Sequence, residues 1–295
     1  MWQKLISSLM SVITFILSLF GLGGGPGGNA DYTKATAQYK QTSSNPDLTS
    51  LDAYYKENTS GRPVVFFVHG GAYMIGDKSN ANCYQDKAPY FTENGYVFIS
   101  VNYRLSPAVK HPAHIEDLAA AFMYVYNHAE EWGGDKDNIF IMGHSAGAQL
   151  VALLATNNSY IEAAGGSLDL IRGVVCLDTN LYNSVADLET YRSAFDDEDL
   201  DDASCVKNVA AGKSIPPFLL FYRTNGDNDV QELFVQTLRT AGVPAAKLEA
   251  KGDSHMDINA EIGKNGDQKT EVIAAFLQNP ADVENIVLPY GGKTE

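Results

Sequence analysis

The sequence predicts an α/β architecture, with a mostly parallel central sheet covered by helices on both faces. Short apolar runs alternate with segments whose apolar residues recur at helical spacing, as strand–helix–strand units require. Several of the runs are apolar at every position, which suits strands buried on both faces. From about Asp47 onward there is no repeat and no second linker, so the elements read as one domain.

Leu51–Tyr55 alternates apolar and polar residues, like an early strand. Pro63–Val68 is a continuous Val- and Phe-rich run leading into His69-Gly70-Gly71, and Tyr96–Val101 is another. Ile115–His128 carries helical spacing. Asn138–Met142 reads as a buried strand ending in Gly143-His144-Ser145-Ala146-Gly147, and Ala148–Ala155 has the composition of a buried helix. Gly173–Leu177 and Phe218–Tyr222 are further strands. Glu232–Thr240 is a helix stopped by Gly242, Ala246–Ala250 a last strand and Thr270–Leu277 a last helix. In such sheets, sites form beyond the carboxyl ends of the strands.

Ahead of this domain (47–279), residues 1–30 differ in character. Lys4 precedes Leu5–Leu22, a run without a charge, and then the Gly-rich stretch Gly23–Gly28. A basic start, an apolar stretch and small residues near Ala30 are expected of a secretory signal peptide, or of a membrane anchor if uncleaved. A secreted, periplasmic or membrane-anchored location is therefore expected over a cytoplasmic one. Residues 280–295 read as a C-terminal tail.

The chain has 295 residues, 45% of them hydrophobic, enough for a sizeable core. Its formal net charge of −15 repels phosphate backbones, so no nucleic-acid partner is expected. Cys83, Cys176 and Cys205 match no metal-binding spacing; no metal is expected, and Cys83–Cys205 is the disulfide pair to test. The acidic stretch Asp196–Asp202 reads as a solvated loop, or else as a rim that disfavours anionic substrates.

The G-x-S-x-G segment requires a tight strand-to-helix turn that holds the Ser145 hydroxyl exposed above the sheet, and the flanking strand and helix supply that setting. Ser145 is the candidate nucleophile. His69-Gly70-Gly71-Ala72-Tyr73 follows a buried strand, where backbone N–H groups can be aimed at a developing oxyanion. The expected donors are Gly71, Ala72 and Ala146, and Gly70, His144 and Tyr73 are expected to bind substrate. A serine needs a base of suitable pKa. Of six histidines only His255 lies C-terminal to Ser145, in the polar loop Gly252–Met256, and His69 is read as a structural brace. The carboxylate orienting His255 is sought after the strand before the last one, where Asp227 and Asp229 compete and Asp227 is preferred for its proximity to the strand end.

These segments, with Gly76-Asp77-Lys78-Ser79, Asn102–Pro107, His111-Pro112-Ala113 and Gly133-Gly134-Asp135, resemble the branch of α/β-hydrolases that pairs an HGG loop with G-x-S-A-G. That branch includes hormone-sensitive-lipase-like and acetyl- or feruloyl-esterase-like carboxylesterases and kynurenine formamidase. The resemblance spans about Leu51 to Leu277. It implies a Ser–Asp–His triad, no cofactor, and a small-molecule ester as substrate, cleaved through an acyl-enzyme. Arylformamidase activity is the alternative within the branch, and a catalytically inactive binding module the alternative outside it. No long insertion separates the strands near Leu177 and Phe218, so no large cap domain is expected and short acyl chains fit best.

Overall fold

The computed structural model describes residues 31–41, 45–183, 191–196, 200–224 and 229–286, all but Asp31 within the unit Tyr32–Glu295. The apolar runs form strands. In chain order these are β1 (Thr33–Gln38), β2 (Ser50–Tyr55), β3 (Arg62–Val68), β4 (Val97–Val101), β5 (Gly134–His144), β6 (Ile171–Leu177), β7 (Phe218–Arg223) and β8 (Ala245–Ala250). They hydrogen-bond in the order β1-β2-β4-β3-β5-β6-β7-β8. β1 and β2 pair antiparallel, β2 pairs antiparallel with β4, and every other pair is parallel.

Among the described residues the helices are α1 (Ala81–Tyr84), α2 (Lys87–Glu93), α3 (Ala113–His128), α4 (Ala146–Thr156), α5 (Asn158–Ala163), α6 (Cys205–Asn208), α7 (Asp229–Thr240), α8 (Asp257–Ala260) and α9 (Gln268–Gln278). Two apolar clusters flank the sheet. The larger gathers Phe66, Phe122 and Leu150 with α3, α4 and α7, and the smaller gathers Phe67, Phe98 and Phe276 with α2 and α9. Alternate residues of one strand, Phe66 and Phe67, enter opposite clusters, as the two-residue strand period requires. The faces are therefore both covered, and the central strands carry no polar side.

The sheet begins earlier than residue 47. β1 is an edge strand whose exposure alternates along Thr-Lys-Ala-Thr-Ala-Gln, so it lacks the apolar run that marks the inner strands. No helix among the described residues is long and apolar enough to cross a membrane, and Leu5–Leu22 lies outside them.

Register brings the site together. Gly143 lies opposite Val68 on one side and Cys176 on the other, and His144 lies opposite Leu177. Leu177 in turn faces Phe221, and Ala250 faces Arg223. The residues following β3, β5, β6, β7 and β8 thus emerge along one edge of the sheet, its carboxyl edge.

Candidate active site

Ser145 is the single residue between β5 and α4, with φ 56° and ψ −120°. A side chain at φ > 0 is strained, and such strain persists only where the surroundings enforce it. Here they do. A Cβ on Gly143 would stand 2.3 Å from the Gly147 oxygen, and one on Gly147 would stand 2.3 Å from the Val68 oxygen. The glycines let α4 start against β3 without clash, and the Ser145 N–H donates to the Leu177 oxygen at 3.0 Å. Ser145 is the one partly exposed residue in an otherwise buried stretch from Ile141 to Leu150.

The oxyanion loop leaves β3 at His69. Gly71 has φ 121°, Ala72 φ 53° and Tyr73 φ 64°. The Gly71 oxygen accepts from the Met74 and Ile75 N–H groups, both at 3.0 Å, and the Tyr73 oxygen accepts from Ser106 at 2.8 Å. No partner among the described residues takes the N–H of Gly71, Ala72 or Ala146, which leaves all three open to an oxyanion. Gly70 is the contact point between loop and elbow, because a Cβ there would meet the Ser145 Cβ at 2.8 Å and the His144 oxygen at 2.9 Å. His69 is buried and stacks on Tyr103 with centroids 4.6 Å apart, so it braces the loop.

Tyr73 is corrected from substrate contact to pillar. Its ring is fully buried against Phe195 and His114, and its hydroxyl donates to Gln149 Oε1 at 3.0 Å. Its φ is 64°, and its side chain is turned into the core. His144 is likewise buried, and its Nε2–H donates to the His255 oxygen at 2.8 Å, with the two rings 4.6 Å apart. Burial, and then the neighbouring His255, hold the His144 imidazole well below the usual histidine range, so it serves as a neutral strut for the His255 loop. On the far side of that loop, buried Lys87 donates to the oxygens of Asn82 (2.7 Å) and Asn259 (2.6 Å), tying α8 to α1.

His255 is partly exposed, and its Nδ1–H donates to Asp178 Oδ2 at 2.5 Å. Asp178 immediately follows β6 and is buried. Of the two acids expected from sequence, Asp227 falls outside the described residues, and Asp229 opens α7. The register explains why Asp178 reaches His255. It follows Leu177, whose oxygen holds Ser145, and its own N–H donates to the Phe221 oxygen at 2.9 Å. Asp178 was missed because an acid was sought only after β7. A carboxylate at the carboxyl end of the strand beside the Ser145 strand was the available signal.

The described aspartates of the acidic stretch, Asp196, Asp201 and Asp202, are exposed, as a solvated loop requires, and two of them also tie the loop down: Asp196 pairs with Lys110 at 2.5 Å, and Asp202 accepts from His111 Nε2 at 2.8 Å, from Asn157 at 2.9 Å and from the Tyr160 hydroxyl. Residues 197–199 lie outside the described set. Cys83 sits in the cluster on one face of the sheet and Cys205 in the cluster on the other, so they cannot pair; all three thiols are free and buried.

His114 gives a pH prediction. It is fully enclosed, its Nε2–H donates to Ser106 Oγ at 3.1 Å, and burial pushes it down to about 4. Above pH 6.5 neither folded nor unfolded chain protonates it. As pH falls from 6.5 towards 4, the unfolded chain takes a proton that the folded site refuses, so stability falls. The loss attributable to this group is on the order of 3 kcal/mol. Denaturant melts at about pH 7 and about pH 4.5 should show a smaller drop for His114→Phe than for the parent.

A strained serine between a strand and a helix, a glycine loop beside it and a carboxylate-held histidine beyond the last strand define an α/β-hydrolase. Residues 51–209 match the BD-FAE family, and the chain belongs to that family. Isoprenylcysteine α-carbonyl methylesterase of Arabidopsis thaliana is 28% identical over 232 residues, covering 70% of this chain and 54% of that protein. An arylesterase of Saccharolobus solfataricus is 28% identical over 236 residues, covering 73% and 74%. The chain thus spans about half the length of the plant relative. Among solved structures, esterase B of Lactobacillus rhamnosis superposes with a TM-score of 0.71 at 20% identity, covering 95% of this chain and 96% of that one, a likeness of fold.

Proposed function

We propose that the chain is a serine carboxylic-ester hydrolase acting on small to medium esters through an acyl-enzyme. The observation that carries this is the Ser145 elbow, φ 56° and ψ −120°, pressed against Gly70 of the glycine loop and flanked through His144 by the carboxylate-held His255.

In this reading the Ser145 hydroxyl attacks the ester carbonyl and His255 Nε2 takes its proton. The carboxylate on Nδ1–H fixes the tautomer that leaves Nε2 free to accept. Charge then builds on the carbonyl oxygen, where the amides of Gly71, Ala72 and Ala146 stabilise it; one such donor is worth roughly 3 kcal/mol in the transition state. The imidazolium returns its proton to the departing alcohol, and water repeats the sequence on the acyl-serine. The family and the esterases among its relatives support the ester reading. The apolar run Leu5–Leu22 supports export as part of the same proposal.

The test is hydrolysis of p-nitrophenyl acetate, butyrate and octanoate by the chain from Ala30 onward. Turnover of all three that falls with chain length is the expected result. Turnover of N-formyl aromatic amides with none of the esters would favour the formamidase alternative, and no turnover of either would overturn the hydrolase reading.

A further inference from the structure

The mechanism needs an acid behind His255, and the geometry points to Asp178, at the end of β6, with Arg223, at the end of β7, as the cation that positions it. This rests on the serine-hydrolase reading and goes further, because it moves the acid one strand away from where chain order placed it and gives β7 the opposite charge.

Three observations carry it. The first is contact: Asp178 Oδ2 lies 2.5 Å from His255 Nδ1 and 2.5 Å from Arg223 Nε, so one oxygen is shared between base and guanidinium. The second is burial. Asp178 is 2% exposed, and a carboxylate so enclosed is strongly unfavourable without a cation or donors around it. The Arg223 backbone N–H adds a donor to Oδ1 at 3.3 Å. The third is strain. Asp178 has φ 50°, a conformation that glycine adopts freely and that costs other residues energy, aspartate less than most. A side chain kept at such a position, with its carboxylate on the base, indicates that the carboxylate itself is required.

Arg223 is a positioning residue. Its Nε–H is not aimed along a hydrogen bond to the carboxylate despite the short distance, so its hold is mainly electrostatic. Among the described residues, the charged and titratable groups facing His255 are Asp178 after β6, Arg223 from β7 and His144 from β5, with Asp253 and Asp257 on its own loop. Arg223 is the cation of that set, so it opposes the imidazolium that forms when Ser145 gives up its proton. With Arg223 removed, that opposition to the forming imidazolium is gone.

The experiment compares kcat/KM and its pH profile, on p-nitrophenyl butyrate, for the parent and for Ser145→Ala, Asp178→Asn, Asp178→Gly, Asp227→Asn, Asp229→Asn, Arg223→Met and Arg223→Lys. Asp178→Asn is expected to lose roughly 10²–10⁴-fold, and Asp227→Asn and Asp229→Asn less than about fivefold. Asp178→Gly suits φ 50° and should melt no lower than the parent while losing as much activity as Asp178→Asn. Arg223→Met should move the acidic limb up by roughly 0.5–1 pH unit, and Arg223→Lys should restore most of that shift. The assignment is overturned if Asp227→Asn or Asp229→Asn loses as much as Asp178→Asn, if Asp178→Gly lowers the melting temperature with activity kept, or if the Arg223→Met limb stays in place. A fully active Ser145→Ala would instead remove the serine-hydrolase reading itself.

Discussion

Ser145→Ala is expected to lower kcat/KM for p-nitrophenyl acetate by roughly 10⁴–10⁶-fold, because the other members of the triad act only through this hydroxyl. The fold should survive. Alanine at this position keeps the same backbone strain at φ 56° and removes only an exposed oxygen, so melting should change by less than about 1 kcal/mol. Ser145→Gly separates strain from chemistry. Glycine relieves roughly 1–3 kcal/mol of local strain, against a smaller entropic gain of the unfolded chain. That variant should therefore be as inactive as Ser145→Ala and melt higher than the parent. Equal melting temperatures for the Gly and Ala variants would mean that the elbow stores no strain.

Gly71→Ala is the second large effect. A Cβ there would stand 1.8 Å from the Ile75 oxygen, and the residue sits at φ 121°, where an L side chain is strained whatever the space. The turn cannot open locally, since Met74 and Ile75 both bond the Gly71 oxygen. The loop must shift, and the Gly71 and Ala72 amides shift with it. Losing alignment of two donors should lower kcat by on the order of 10³-fold or more, with a loss of stability of roughly 1–3 kcal/mol. Gly61→Ala is the matched control: φ is 66° with no atom within 4 Å of the new Cβ, so a small loss of stability and unchanged kcat are expected. Near-parental kcat for Gly71→Ala would contradict the oxyanion role of this loop.

Much of the scaffold was legible because inner strands of a parallel sheet must be apolar at every position. Val64–Val68 announces itself in that way and Val97–Val101 does so at every position but Ser100, and the helix Ala113–His128 begins within two residues of its expected start. Ser145, His255 and the glycine loop were legible because a tight turn and a close backbone approach demand particular residues in a particular order. β1 was not, because an edge strand with one exposed face alternates and carries no apolar run. Tyr73 reads as a site residue in sequence, yet its ring is turned into the core, and no linear pattern encodes that turn.

Asp178 shows the limit most clearly. Which carboxylate reaches His255 depends on strand register, on the Leu177 oxygen holding Ser145 and on Arg223 arriving from the next strand. Those contacts lie far apart along the chain. Chain order alone favoured a residue after β7, and among the described residues it is Asp178, after β6, that touches His255.

The central claim, that Ser145 is the nucleophile of an ester hydrolase, is tested most directly by covalent trapping. The chain is incubated with a p-nitrophenyl alkylphosphonate, and the adduct is located by intact mass and peptide mapping. One phosphonyl group per chain on the peptide containing Gly143–Gly147, absent from Ser145→Ala and matched by loss of esterase activity, is the predicted result. Stoichiometric labelling of another residue, or activity that survives full modification of Ser145, would contradict it.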